Sequence, residues 1–172
     1  AQLNMKPEES MGAPLSDYDV QQIVALAAAV SMLYETISVM DNYIEALMHK
    51  HCQNLKVVAG SQIGAELLRL SGSLEHLAMM PASTIQLLGA ERALFRHLKD
   101  KRQRPPKYGV LHEHELVSAA KKELKGKIAR LLADKISIAV KVDFFKGSFA
   151  GDKLRAEVER KVGQLRQNDA AV

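Results

Sequence analysis

The chain has 172 residues, 47% hydrophobic and 26% charged, with a formal net charge of +4. That is long and apolar enough to bury one core, with or without an appendage, and excludes a disordered tail. Asp17, Glu35, Asp41 and Glu45 interrupt the longest apolar segment, so no run reaches the roughly eighteen residues of a membrane span and no membrane is expected.

Residues 1–15 carry Pro7, Gly12 and Pro14 among polar residues and read as a loop, with Ser16 or Asp17 placed to cap a helix over 16–52. In that helix Ile23, Val30, Ile37 and Ile44 alternate with Leu26, Leu33, Met40 and Leu47 at steps of three and four, forming a heptad seam. β-Branched residues in one series and Leu or Met in the other suit contact with a partner helix, and self-association is one way to supply it. An amphipathic helix lying on its own core is the alternative. After Asn54, the glycines Gly60 and Gly64 and then Leu67, Leu70, Leu74 and Leu77 predict a compact helix closed by Pro81. Ser83 can cap a short turn holding Ile85, Leu87 and Leu88, and Gly89 interrupts it. Ala90 to Lys99 predicts a helix with Ala93, Leu94 and Leu98 on its buried side. Paired Pro105 and Pro106 demand a loop. A long helix follows over about 118–145 through Ile128, Leu131, Leu132, Ile136, Ala139 and Val142, and beyond Gly147 and Gly151 a last helix carries Leu154, Val158, Val162 and Leu165. No segment alternates with period two, so the fold class is all-α.

Residues 92–135 hold thirteen Lys or Arg and five Asp or Glu, so this segment is strongly basic and the remainder acidic. Arg92, Arg96, Lys99, Lys101, Arg102, Arg104 and Lys107 share sixteen residues with a single acid, Asp100. Such a cluster suits a polyanion, and about six phosphate contacts supply most of a micromolar affinity without reading a base. A solvated basic face is the alternative. With no Trp, four Phe and four Tyr, a surface stacking several bases is disfavoured, but recognition through phosphates and shape stays open. His49 and His51, or His112 and His114, lack further ligands in any metal-binding spacing, so no metal is expected. Gly60 to Gly64 lacks a Gly-Lys-Ser/Thr ending, which rejects a phosphate loop. The one cysteine, Cys52, has no obvious activating partner, cannot form an internal disulfide, and fits a reducing compartment. No catalytic residue and no cofactor is assigned, and a binding module is favoured over an enzyme.

The text Pro81-Ala82-Ser83-Thr84-Ile85-Gln86-Leu87-Leu88-Gly89-Ala90-Glu91-Arg92-Ala93-Leu94-Phe95-Arg96, followed by Pro105-Pro106-Lys107-Tyr108-Gly109-Val110-Leu111, Lys127-Ile128-Ala129-Arg130 and Val142-Asp143-Phe144-Phe145, resembles the Nop domain of the archaeal box C/D ribonucleoprotein scaffold and of its eukaryotic nucleolar relatives. The resemblance covers about Asn54 to Arg166 and implies a Nop domain over 53–172, preceded by the second helix of an antiparallel coiled coil. Because the chain starts at Ala1-Gln2 with no initiating Met, it reads as part of a longer protein. The resemblance places fibrillarin binding in a domain before residue 1.

The resemblance further implies box C/D guide RNA and a kink-turn-binding protein as partners, no catalysis by this chain, and a cytoplasmic setting in an archaeon or a nucleolar one in a eukaryote. It implies contacts to the RNA and the kink-turn protein at Gly89, Ala90, Glu91, Arg92, Lys99, Lys101, Arg102, Arg104, Lys107, Tyr108, Gly109, His114, Lys125, Lys127 and Arg130. Ala93, Leu94, Phe95 and Arg96 would meet the end of the guide–substrate duplex. Three departures stand out: Arg92 replaces Lys, Tyr108 replaces His, and Glu113-His114-Glu115 replaces a Gln-His-Pro. Carboxylates beside phosphates oppose binding unless cations or a protein partner face them. A coiled-coil adaptor between proteins and a spliceosomal relative of the same domain are the other readings.

Overall fold

The structure is a computed structural model and describes residues 15–170, so the expected loop over 1–15 falls almost wholly outside the described residues. Among those residues there are nine α-helices and no strand, which bears out the all-α reading. The chain divides into two units, residues 1–40 and 41–172.

In the first unit the described residues form most of helix α1, which runs Asp17–His51. Ser16 is its cap: the Asp19 N–H donates to Ser16 Oγ at 3.3 Å, and the Ser16 hydroxyl donates to the Asp19 carboxylate at 2.5 Å. Within this unit Ile23, Leu26, Val30, Leu33, Ile37 and Met40 all stand exposed. One expectation is corrected here. An eighteen-residue window of α1 has a mean hydropathy of 1.8 with no more than two charged residues, so the helix is long and apolar enough to cross a membrane by length and composition. Of the acids counted as interruptions, no more than two fall in that window, too few to break it.

The second unit is built on α8, Lys122–Phe144. Leu124, Ile128, Leu132, Ile136 and Val140 recur every four residues and are buried. Each such side chain stabilises the fold by about 1.5–3 kcal/mol relative to exposure. Around α8 pack α2 (Gln53–Ala59), α4 (Leu74–Met79), α5 (Ala82–Leu87), α7 (Glu115–Ser118) and α9 (Gly151–Ala170). They contribute Leu55 and Val58, Leu77, Ile85, Val117 and Val158 to one core, and α3 (Ser61–Ser71) adds Leu67. The last turns of α1 join this unit through buried Met48 and half-buried Ile44. That is why the division falls inside α1 and not at its end.

Asp143 near the end of α8 caps α2 from a distance. Its carboxylate accepts from Asn54 Nδ2 at 2.7 Å, from the Asn54 N–H at 3.1 Å and from the Leu55 N–H at 2.8 Å, while Asn54 Oδ1 accepts from the Ala150 N–H at 2.7 Å. The start of α2 and the distant end of α8 with the loop after it thus meet at one part-buried polar node, and α2 has no cap of its own. Cys52 lies beside it; burial and then the Asp143 charge push its thiol up to about 11.

Three boundaries differ from the periodicity reading. The helix expected through Leu67 and Leu77 breaks at Gly72, whose left-handed φ of 84° ends α3, and Ser73 caps α4 through the His76 N–H. Ser83 lies inside α5, which follows Pro81 directly. The helix expected from residue 118 begins at Lys122, because the chain turns between α7 and α8.

Candidate nucleic-acid interface

Helix α6, Glu91–Lys99, leaves the core at Gly89, whose φ is +87° and whose added Cβ would meet Val110 Cγ2 at 2.6 Å. The Gly89 N–H donates to Glu91 Oε1 at 2.6 Å. Glu91, expected at the RNA and protein surface, therefore spends an oxygen on holding this turn. Spacing of three and four places Arg92, Phe95, Arg96 and Lys99 on one face, where they line a shallow hollow of about 440 Å³. Phe95 is 66% exposed. No side chain of α6 is buried, which corrects the expected buried face: Ala93 and Leu94 are half-buried and Leu98 is 61% exposed. The helix lacks an extensive packing partner, so its apolar spacing is covered only at Ala93 and Leu94, and there in part.

The following turn is held locally. His97 Nδ1 pairs with the Gln103 carbonyl at 2.5 Å, and Asp100 accepts from the Arg102 N–H at 3.0 Å. The only acid of the basic cluster is thus used on backbone. Lys101, Arg102, Arg104 and Lys107 are exposed. Among the described residues no carboxylate forms an ion pair with them, nor with Arg92, Arg96 or Lys99.

Segment 107–110 returns to the chain just before α6 and is stitched to it. Gln86 Nε2 donates to the Lys107 carbonyl at 2.6 Å, the Gly109 N–H to the Gln86 carbonyl at 2.9 Å and the Val110 N–H to the Leu88 carbonyl at 2.9 Å. A Cβ on Gly109 would lie 1.8 Å from the Leu88 carbonyl oxygen, so glycine is obligatory for this approach. Gly89 and Gly109 are scaffold residues that hold the segment carrying Lys107 and Tyr108 against Gln86–Gly89, just before α6. The Tyr108 ring stacks on His112 with centroids 5.0 Å apart, Lys125 Nζ lies 3.4 Å from His112 Nε2, and the Lys107 side chain packs over Gly126.

The sequence raises His112 only as a rejected metal ligand and His97 not at all; the four-residue step from Tyr108 across Gly109 is the signal that could have found His112 as a stacking partner. His114 is the opposite case. Expected to stack or donate to RNA, it is only 3% exposed. Its Nδ1 accepts from the Leu116 N–H at 3.2 Å and caps α7, and Arg155 Nη1 lies 3.3 Å from Nε2. Burial first, then the Arg155 charge, lowers its pKa below the usual histidine value. Of the two suspect carboxylates, Glu115 pairs with Arg155, whose hydrogen bond and charge hold it below the usual range. Glu113 is exposed. Lys127 and Arg130 do not join this surface: they line a different groove, with Lys161. Among the described residues no group of three His, Cys, Asp or Glu could hold a metal.

A Gly-turned helix displaying cations and an exposed ring, stitched to a Pro-Pro-Lys-Tyr-Gly segment, is the arrangement on which comparison with known proteins bears. The family model Nop, described as snoRNA binding domain, fibrillarin, matches residues 1–164. The chain belongs to the Nop family. An uncharacterized NOP5 family protein of Methanocaldococcus jannaschii is 42% identical over 160 residues, 93% of this chain and 38% of that protein. Nucleolar protein 56 of Caenorhabditis elegans is 43% identical over 162 residues, 92% of this chain and 33% of that protein. A chain in the crystal structure of a fibrillarin/Nop5p complex matches with a TM-score of 0.66 at 29% identity, covering 89% of this chain and 56% of that one. The Nop chain described here spans about a third of the length of these curated relatives.

Proposed function

We propose that this Nop chain is a non-catalytic scaffold of box C/D guide ribonucleoproteins, which binds a kink-turn RNA jointly with a kink-turn-binding protein so that an RNA 2′-O-methyltransferase can be positioned. The observation that carries this is the shared face of Arg92, Phe95, Arg96 and Lys99, followed in the chain by the exposed cations Lys101, Arg102, Arg104 and Lys107. Cations without carboxylate partners are available to phosphates, and each contact releases condensed counterions. Phe95, exposed between two guanidiniums, suits the open end of a duplex, and half-buried Leu94 anchors it from behind. Paired RNA hides its base edges in a deep groove, so selectivity comes from the composite shape of RNA and bound protein. Recruitment of fibrillarin belongs to the parts of the relatives that this chain does not span. The seam over residues 23–40 takes a partner helix, from a longer chain or from a second copy.

A gel shift with a kink-turn RNA, with and without its cognate kink-turn protein, tests this reading. A further shift by the Nop chain only in the combined sample is expected, with affinity falling steeply as salt rises. Equal binding to any structured RNA, no added shift, or a salt-insensitive complex overturns it. The exposed seam favours a second reading, a coiled-coil adaptor between proteins, which predicts partner binding that survives nuclease treatment.

A further inference from the structure

Away from the α6 surface, a groove of about 440 Å³ runs between the first half of α8 and the second half of α9. Leu131 and Leu165 form its floor, both partly buried against the core, and Lys127, Arg130 and Lys161 form its rim. Ion pairs join the two helices on either side: Lys121 to Asp169 at 2.7 Å and Lys135 to Glu157. Between those pairs the three rim cations have no carboxylate at ion-pair distance among the described residues. Asp134 is one turn beyond Arg130 and likewise unpaired there. Gln164 and Asn168, one turn apart on α9, complete the lining and can both donate and accept hydrogen bonds.

We propose that this groove docks an acidic segment of a partner protein that carries an aliphatic side chain between its carboxylates. Three cations around two leucines are matched by that chemistry at every point: carboxylates answer the rim, the aliphatic group covers the floor, and the two amides pair with the segment's main chain. A phosphodiester chain answers the rim alone and leaves Leu131 and Leu165 in water. The groove shares no residue with the hollow on α6, so the acidic segment and the RNA can be held together.

The test uses the whole chain and three fluorescent probes: a peptide of about twelve residues with Asp and Glu around two Leu, the same peptide with Ser for Leu, and an oligouridylate of similar length. Amide shift mapping locates each probe. Expected are binding of the leucine peptide with shifts confined to 127–131 and 161–168, binding about fivefold weaker for the serine peptide, and a loss of about tenfold or more in the R130E/K161E double variant. Both substitutions are at exposed positions, and a circular-dichroism melt checks the fold. Arg92→Ala leaves peptide binding unchanged, which separates this surface from the RNA surface. Equal affinity for the serine peptide, shifts on α6, absence of peptide binding, or an oligouridylate that binds the groove more tightly than the peptide overturns the proposal.

Discussion

Helices α8 and α6 have the same kind of sequence pattern and opposite fates. Both repeat apolar residues at steps of three and four, yet α8 buries Leu124, Ile128, Leu132, Ile136 and Val140, whereas α6 buries nothing. What differs is what the chain brings opposite them. Four short helices and the long α9 converge on α8, while α6 is lifted off the core by the Gly89 turn and lacks an extensive packing partner. An apolar spacing therefore says that a face can be covered, and the rest of the fold decides whether it is covered from within or left for a partner.

That contrast is broken most directly by truncation. Leu132→Ala costs about 2–5 kcal/mol of stability by urea unfolding, whereas Leu98→Ala on α6 changes it by less than about 0.5 kcal/mol; equal losses would mean that α6 is a core helix. Gly109→Ala comes next. Its Cβ cannot fit against the Leu88 carbonyl, so the 107–110 stitch opens, with an expected loss above about 2 kcal/mol and a weakened RNA complex in the same gel shift. Arg92→Ala and Arg96→Ala reverse the pattern: thermal unfolding is unchanged, ternary assembly weakens, and each variant lowers the slope of log affinity against log salt by about one. A thermal shift without a change in salt slope would assign these arginines to the fold.

The smallest expected effect concerns His114. Its folded pKa is depressed, so below the ordinary histidine value of about 6.5 the unfolded chain takes up a proton that the native ring refuses. The stability it confers is complete above that pH and is lost as pH falls toward the depressed value. His114→Asn keeps an oxygen to cap α7, and the decline in melting temperature between about pH 7 and 5.5 becomes shallower than in the parent chain. An unchanged decline assigns that acid sensitivity to other groups.

Much of this was legible in the residues themselves. The helical periods, the heptads of α1 and the run from Arg92 to Lys107 are local patterns, and the Pro81 to Leu111 text was enough to point to the Nop family. What the residues hid was non-local. The cap of α2 is Asp143, 89 residues beyond Asn54, and no local motif announces a carboxylate arriving from another helix. His112 and His114 look alike in sequence, but one stacks on Tyr108 at the surface and the other is sealed beside Arg155, 41 residues away. Lys127 and Arg130 belong by sequence to the basic cluster, but the turn of α8 carries them to another groove.

Side-chain chemistry and backbone period are written residue by residue, so the apolar period settled the helical class and the residue types the sign of the charged region. Which side chains share a surface depends on how helices distant in sequence pack, because burial and hydrogen bonding are won only when those segments meet. Only the tertiary arrangement, therefore, put Arg92, Phe95, Arg96 and Lys99 in the open and His114 out of reach.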